Sequence, residues 1–171
     1  MKKKLAIVLV ILIFATVLGI ILVKILKTAD PALPHPEDFP SVELSTIDFS
    51  ELKQEALFGK TLLMFFYSPG CMFCEHEIKE LQRNNRQIDG NVLFISSAPL
   101  DSIYAYTYRY RLDTIPHYHI IFDENHSLYR AFHIESIPST LIYGKDRRLI
   151  KAFRGEVNAK KIIETIHNAD I

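Results

Sequence analysis

Residues 61–74 of the chain are TLLMFFYSPGCMFC. The first seven are almost entirely apolar, which is typical of a strand buried on both faces of a sheet. The Ser-Pro-Gly sequence of residues 68–70 then predicts a turn, and residues 71–88 have the apolar spacing of a helix. The stretch therefore predicts a Cys-x-x-Cys motif, formed by Cys71 and Cys74, at the point where a turn enters a helix.

The position of the two cysteines favours redox chemistry. Backbone N–H groups at a helix N-terminus have no partner within the helix and, with the helix dipole, stabilise a negative charge. Such a site lowers a thiol pKa from about 8.5 to about 7 or below, so that much of Cys71 is a nucleophilic thiolate. We expect Cys71 to attack a substrate disulfide and Cys74, one turn later, to resolve the mixed disulfide.

Three other interpretations of the pair remain open. A structural disulfide would close a four-residue loop, which stabilises a protein by only about 2 kcal/mol. A metal site would need more ligands, which His76 and a distant His117 or His119 could supply to Cys71 and Cys74. The two cysteines could also be buried and inert. For the two distant histidines, we expect a surface pair on one face of a strand rather than metal ligands.

Glu77 is the next candidate site residue. It lies three positions after Cys74, on the helix face that also carries Ile78 and Leu81. Desolvation on an apolar face would raise the pKa of this carboxyl and suit it to exchange a proton with Cys74. The alternative is a tilted helix that leaves Glu77 in water.

The N-terminal residues predict a membrane anchor over residues 1–27. Residues 5–23 contain no charged side chain, and 19 helical residues extend about 28 Å, enough to cross the hydrocarbon core. Lysines at positions 2–4 favour a cytoplasmic N-terminus, which would put the rest of the chain where disulfides persist. A cleaved signal peptide is the alternative, although no small-x-small cleavage site ends the run.

A spacer and one domain are predicted after the anchor. Residues 28–45 contain Pro31, Pro34, Pro36 and Pro40, so this stretch cannot hold a helix and is expected to be an extended linker. Residues 46–171 then have the length of a single domain.

Helical and strand patterns alternate along the domain. Tyr104, Tyr106, Tyr108 and Tyr110 recur with the period of a strand, but we expect a helix there because two parallel strands need a crossover. The predicted helices cover residues 50–58, 71–88, 101–112, 125–132 and 158–167, and the predicted strands cover residues 61–67, 91–97, 118–122, 140–143 and 149–154. This order predicts an α/β domain that has a parallel part and a terminal hairpin.

Composition excludes several functions. Twenty Lys and Arg balance 20 Asp and Glu, whereas a nucleic-acid-binding protein needs a basic surplus. Two cysteines can form neither a disulfide framework nor a four-thiolate zinc site. No Gly-x-Gly-x-x-Gly motif follows a strand, so neither a flavin nor a nicotinamide is expected, and we predict no cofactor.

Three parts of the sequence together resemble a thioredoxin-fold protein. They are residues 65–74, residues 132–140 (FHIESIPST), and Gly144-Lys145-Asp146 with the later Gly155; the match extends over about residues 42–166. The resemblance implies a central mixed sheet with helices on both faces, here preceded by one N-terminal transmembrane helix. The anchor and the position of Glu77 make the chain most similar to the membrane-anchored TlpA/ResA-like thiol–disulfide oxidoreductases of the bacterial envelope.

The resemblance also implies residue roles. Cys71 corresponds to the exposed nucleophile, Cys74 to the resolving thiol, and Glu77 to the carboxylate beneath the site. Pro138 corresponds to a cis-proline that faces the disulfide, and the backbone of Ile137 to the group that pairs with an extended substrate.

The sequence also departs from thioredoxin. Phe65 occupies the position of a buried aspartate, Gly70 that of the usual tryptophan, and the Met72-Phe73 dipeptide does not indicate the direction of electron flow.

The expected function is therefore reduction of disulfides in client proteins. The soluble domain would face the periplasm or another extracytoplasmic space at the bacterial cytoplasmic membrane, and an integral membrane thiol carrier could supply its electrons. A disulfide oxidase or isomerase and a copper-handling module are the alternatives. A peroxidase is disfavoured, because a peroxidatic cysteine normally needs a nearby arginine and a threonine or serine rather than a Cys-x-x-Cys partner.

Overall fold

The computed structural model of the protein describes residues 14–19, 38–57 and 59–169. The chain divides into two compact units, residues 1–34 and residues 35–171. In the first unit, residues 14–19 are helical. None of the helices among the described residues has both the length and the apolar character needed to cross a membrane. Most of the predicted span, residues 5–23, lies outside the described residues.

Five strands of the described chain form one mixed sheet. They are β1 (Thr61–Phe66), β2 (Gly90–Ser96), β3 (Tyr118–Phe122), β4 (Ser139–Tyr143) and β5 (Leu149–Arg154). Their spatial order is β3-β2-β1-β4-β5. β1 is parallel to β2, and β2 to β3, whereas β4 is antiparallel to both β1 and β5. The parallel part and the terminal hairpin predicted from the sequence are confirmed.

Helices connect these strands and cover both faces of the sheet. They are α1 (Met72–Arg83), α2 (Leu100–Tyr110), α3 (Ser127–Ala131) and α4 (Ala159–Ala169). Apolar side chains of α1, α2 and α4 pack on one face, while α3 packs on the other with residues from the segment before β1. β1 is buried along its whole length because it is covered on both sides, which explains its unbroken apolar sequence.

The tyrosine-rich stretch is helical, as predicted. Tyr106 and Tyr110 are buried against the sheet, whereas Tyr104 and Tyr108 are exposed, Tyr108 to 84%. Residues four apart share a helix face, so Tyr106 and Tyr110 lie on one face and Tyr104 and Tyr108 on another. Together the four tyrosines occupy every second position, which is also the spacing along one face of a strand.

The predicted helix over residues 50–58 is wrong. Among the described residues of this range, the structure has only a 3₁₀ turn at Gln54–Ala56. Before it, the side chains of Thr46, Asp48 and Ser50 hydrogen-bond to one another, and the Thr46 hydroxyl also donates to the Ser50 carbonyl. Short polar side chains that bond locally in this way compete with helix formation.

The helix predicted over residues 71–88 is shorter than expected. It ends at Arg83 and is followed by a 3₁₀ turn at Asn85–Gln87. The amide of Asn84 donates to the Glu80 carbonyl, and the amide of Asn85 donates to the Gln82 carbonyl. These side chains occupy carbonyls at the helix end and so stop the helix.

The predicted spacer over residues 28–45 extends too far. Phe39 and Leu44 are buried in the core on the α3 face of the sheet, and the Phe39 N–H donates to the Arg147 carbonyl at 2.9 Å. Residues 38–45 are therefore part of the packed domain, because their apolar side chains complete its core.

Strand register brings two distant loops to one edge of the sheet. Phe66 at the end of β1 is paired with Ser139 at the start of β4. Because these strands are antiparallel, the residues that follow β1 and those that precede β4 lie at the same edge. This edge holds Cys71 and Pro138.

Candidate redox site

Cys71 and Cys74 form a disulfide at the N-terminus of α1, with their Cα atoms 5.2 Å apart. Cys71 is the N-cap residue and has an extended backbone, and its sulfur accepts a hydrogen bond from the Cys74 N–H at 3.2 Å. Gly70 enters the helix with φ +85°, a left-handed conformation that glycine adopts without strain. The expected placement of the pair at a helix N-terminus is confirmed.

The two sulfurs differ in their access to solvent. Cys74 is fully buried, whereas Cys71 is partly exposed. In the reduced protein, a thiolate on Cys71 would lie among N–H groups of the first helical turn, which stabilise its charge. Because Cys71 is partly exposed, a partner can approach its sulfur, whereas Cys74 is shielded from solvent.

Glu77 lies one helical turn beyond Cys74 and is also fully buried. Its Oε1 atom accepts a hydrogen bond from the Thr140 hydroxyl at 2.6 Å, and its Oε2 atom accepts one from the Val157 N–H at 3.0 Å. Each carboxyl oxygen therefore has a donor. The alternative of a tilted helix with Glu77 in water is wrong, because α1 packs this face onto the sheet.

Burial dominates the acidity of Glu77. Desolvation raises the pKa of this carboxyl to about 7, although the hydrogen bonds from Thr140 and Val157 act in the opposite direction. Among nearby charges, Glu156 raises the pKa further and His76 lowers it. A carboxyl with a pKa near neutral can both accept and return a proton under physiological conditions.

The loop before β4 lies beside the disulfide edge. The Ile137–Pro138 peptide bond is cis. Pro138 is buried, and its carbonyl accepts a hydrogen bond from the Gly155 N–H at 2.8 Å. The side chain of Ile137 is 36% exposed.

An apolar surface lies around the cysteines. Met72 and Phe73, between the two cysteines in sequence, are 73% and 56% exposed, and Ile137 belongs to the same edge of the sheet. Large apolar side chains that are exposed together often mark a contact with another molecule. We define Met72, Phe73 and Ile137 as the apolar rim of the site.

The proposed metal ligands are not brought together. His76 contacts Glu156, and His117 and His119 flank Tyr118 at the start of β3. Within the ranges that the structure describes, no group of three or more histidine, cysteine or acidic side chains could hold a metal ion.

Three residues near Glu77 were not predicted as site residues. The sequence marks Thr140 only as the end of the stretch over residues 132–140, and Glu156 and Val157 follow β5 without a motif. They lie 63 and about 80 positions from Glu77 in the sequence. The only signal near them is Gly155, whose φ of +76° turns the chain back toward α1.

Several solved bacterial proteins have a similar fold. DsbF of Mycobacterium tuberculosis is 15% identical, with a TM-score of 0.67 over 75% of this chain and 94% of that protein. StoA of Bacillus subtilis is 16% identical, with a TM-score of 0.60 over 76% and 98%. The bacterioferritin comigratory protein of Xanthomonas campestris is 16% identical, with a TM-score of 0.65 over 81% and 98%. At these identities the likeness shows the thioredoxin-like fold.

Sequence comparison identifies the family. No curated protein matches the sequence. The model of the AhpC/TSA family matches residues 36–152, which include β1 to β4, both cysteines, Glu77 and the cis-proline. The match covers well over half of the 171 residues. The chain belongs to the AhpC/TSA family of thioredoxin-like proteins.

Proposed function

We propose that the protein is a membrane-anchored thiol–disulfide oxidoreductase that reduces disulfides in client proteins. It would resemble the TlpA/ResA-like group, with residues 1–27 in the bacterial cytoplasmic membrane and the domain on the extracytoplasmic side. One observation carries the proposal: a partly exposed Cys71 at a helix N-terminus is bonded to a buried Cys74, with the buried carboxyl of Glu77 one turn further on.

The first half of the reaction takes place at Cys71. The reduced protein would attack a client disulfide with the Cys71 thiolate, forming a bond between Cys71 and one client sulfur and breaking the client S–S bond. The other client sulfur leaves as a thiolate and takes a proton from solvent. The helix N-terminus favours this step because it stabilises the attacking thiolate.

The second half takes place at Cys74. Its thiol gives a proton to the Glu77 carboxylate, and the resulting thiolate attacks Cys71 in the mixed disulfide. The Cys71–Cys74 bond forms as the bond between Cys71 and the client breaks, and the second client sulfur leaves as a thiolate that takes a proton from solvent, so the client gains two electrons and the protein loses two. Glu77 is suited to this transfer because burial raises its pKa to about 7, close to the pKa of a thiol.

Recycling requires an external dithiol. A membrane thiol carrier is the expected donor, and its two thiols would reduce the Cys71–Cys74 bond by the same exchange in reverse. No flavin or nicotinamide step is needed on this chain.

The apolar rim indicates the kind of client. Met72, Phe73 and Ile137 would contact a polypeptide segment that has apolar residues beside its cysteine. Such segments are accessible in incompletely folded or extended proteins.

The direct test is turnover with a disulfide-bonded model protein and a small dithiol as electron donor. The full-length chain should reduce the model protein, and the Cys71→Ser variant should show no turnover above the donor alone. Turnover that survives in Cys71→Ser would overturn the proposal.

Reductase and oxidase activities are separated by the acidity of Cys71. A Cys71 pKa near 7 or above favours a reductant, whereas a value near 4 favours an oxidase or isomerase. Alkylation of the reduced chain as a function of pH measures this pKa.

A thiol-dependent peroxidase is the second candidate. Family membership favours it, as does the fold of the Xanthomonas campestris protein, whose structure is described with alkyl peroxide reduction activity. Cys71 would then attack a peroxide, giving an alcohol and a sulfenic acid, and Cys74 would displace water to form the disulfide. Consumption of a peroxide by the reduced chain at a rate above its disulfide reductase rate would favour this candidate.

A further inference from the structure

Residues 155–157, which follow directly from β5, contact several parts of the redox site; we call them the bridging segment. The Gly155 N–H donates to the Pro138 carbonyl at 2.8 Å, and the Val157 N–H donates to Glu77 Oε2 at 3.0 Å. The carboxylate of Glu156, between them, hydrogen-bonds to His76 on α1. Three consecutive residues therefore join the cis-proline loop, the buried carboxyl and the helix that carries the cysteines.

The contact between His76 and Glu156 is the one surface-accessible link among these. The His76 side chain is 64% exposed and that of Glu156 is 32% exposed, whereas Glu77 and Val157 are buried. Glu156 and Val157 are neighbours in the chain, so a constraint on one side chain limits the movement of the next N–H. His76 is therefore able to influence Glu77 without touching it.

We propose that His76 is a positioning residue: through Glu156 it holds the bridging segment so that the Val157 N–H stays on Glu77, and it thereby sets the proton affinity of that carboxyl. The role deepens the proposed function, since Glu77 is the group that receives the proton of Cys74 there. In this way an exposed histidine on the protein surface sets the proton affinity of the buried Glu77 carboxyl.

Several groups face Glu77, and they act in different directions. From β4 the Thr140 hydroxyl and from the bridging segment the Val157 N–H both lower its pKa; Glu156 raises it and His76, on the same helix, lowers it. The Val157 hydrogen bond has a larger effect than the charge of Glu156. Cys74 lies one turn before Glu77 and is uncharged in the disulfide. Loss of the Val157 contact should therefore outweigh loss of the Glu156 charge.

Two kinds of substitution at Glu156 separate position from charge. Glu156→Ala removes both the link to His76 and the negative charge, whereas Glu156→Gln keeps an amide oxygen that accepts a hydrogen bond from His76. If His76 acts by position, the midpoint of Glu77 titration rises in Glu156→Ala and in His76→Ala, and it stays level or falls in Glu156→Gln. A carboxyl pKa falls by about two units when two to three backbone N–H groups donate to it, so the rise should be about one pH unit.

The experiment is a ¹³C NMR titration of glutamate side-chain carboxyls in the oxidised, full-length chain. The Glu77→Gln variant assigns the signal, and no turnover is needed. Arg83→Ala is a matched control, since it breaks an ion pair with Glu80 on the same helix surface away from the bridging segment. It should leave the Glu77 midpoint unchanged.

Two results would overturn the inference. An unchanged midpoint in both His76→Ala and Glu156→Ala would show that the contact does not act on Glu77. Equal midpoints in Glu156→Ala and Glu156→Gln would show that charge alone matters. Because the titration uses the oxidised protein, failure of the proposed reductase activity would appear separately, as absent turnover in the unmodified chain.

Discussion

Glu77 and Asp123 are both buried carboxyls, but they are held in different ways. Asp123, just after β3, is 2% exposed and accepts hydrogen bonds from the Ser127 hydroxyl and from the N–H groups of Leu128 and Tyr129 at 2.9–3.1 Å. All these donors belong to the first turn of α3. Glu77 is fully buried in the middle of α1 and has two donors, which come from β4 and from the bridging segment.

The difference follows from the position of each carboxyl relative to a helix. At a helix N-terminus, N–H groups have no partner within the helix, so a carboxylate there completes their bonding. Within a helix, the N–H groups are already used, so a buried carboxyl depends on distant donors. The two buried carboxyls therefore differ in the source of their donors: those of Asp123 lie in the adjacent helix turn, and those of Glu77 lie in distant elements.

The largest expected difference is in how stability depends on pH. The folded Glu77 carboxyl keeps its proton up to about pH 7, against an ordinary value of 4.5. The contribution of Glu77 to the free energy of unfolding of the oxidised chain is therefore largest below pH 4.5. It falls by about 3 kcal/mol in total as the pH rises from there through 7. Urea unfolding at pH 5 and pH 8 should show most of this fall in the unmodified chain relative to Glu77→Gln. Identical pH dependence in the two proteins would contradict the assignment.

Loss of the carboxyl should also slow the chemistry. Without a proton acceptor, Cys74 must lose its proton to water, so Glu77→Gln should lower reductase turnover at pH 7 by about a hundredfold. Asp123→Asn serves as the comparison, since it alters the other buried carboxyl without touching the cysteines. Its turnover, measured under the same conditions, should stay within a factor of about two, and equal losses in both variants would point to a structural effect.

Asp123 should matter for stability instead. Replacement by alanine leaves the Leu128 and Tyr129 N–H groups without their side-chain acceptor, a loss comparable to that of a helix-capping side chain, which costs up to about 2 kcal/mol. Urea unfolding of Asp123→Ala at pH 7 should show this decrease, with reductase turnover retained below the transition. Turnover that falls while stability is unchanged would reverse the roles assigned to the two carboxyls.

The smallest change is at Thr140. Thr140→Val keeps the shape of the side chain but removes the hydroxyl that donates to Glu77, so the Glu77 pKa should rise by about one unit. Thr140→Ser retains the hydroxyl and should leave the pKa near 7. The ¹³C titration described above measures both, and a lower midpoint in Thr140→Val would contradict the donor role.

Local sequence was sufficient to predict the half of the site that lies on one helix. Cys74 and Glu77 are three residues apart, so the helical period places them on one face, and the turn before the helix places Cys71 at its N-terminus. The strands were predicted for a similar reason, because burial on both faces leaves continuous apolar runs. The helix that carries the tyrosines is predicted because two parallel strands need a crossover connection. The alternating tyrosines alone suggest a strand instead.

The other half of the site depends on tertiary contacts. Thr140 and Val157 are 63 and 80 positions from Glu77, and no local pattern indicates that β4 and the bridging segment meet α1. The error over residues 50–58 has a different origin. There, Ser50 at the start of the expected helix hydrogen-bonds back to Thr46 and Asp48, and the Leu52 N–H donates to the Leu44 carbonyl. Propensity alone does not capture such contacts.

The central claim is that Cys71 is the attacking sulfur and Cys74 the resolving one. Trapping tests it most directly: the reduced, full-length Cys74→Ser chain is mixed with a disulfide-bonded model protein, and intact mass and peptide mapping follow the products. The account predicts a stable mixed disulfide between Cys71 and the model protein, and none of comparable yield in Cys71→Ser. An adduct that forms equally well through Cys74, or no adduct at Cys71, would contradict it.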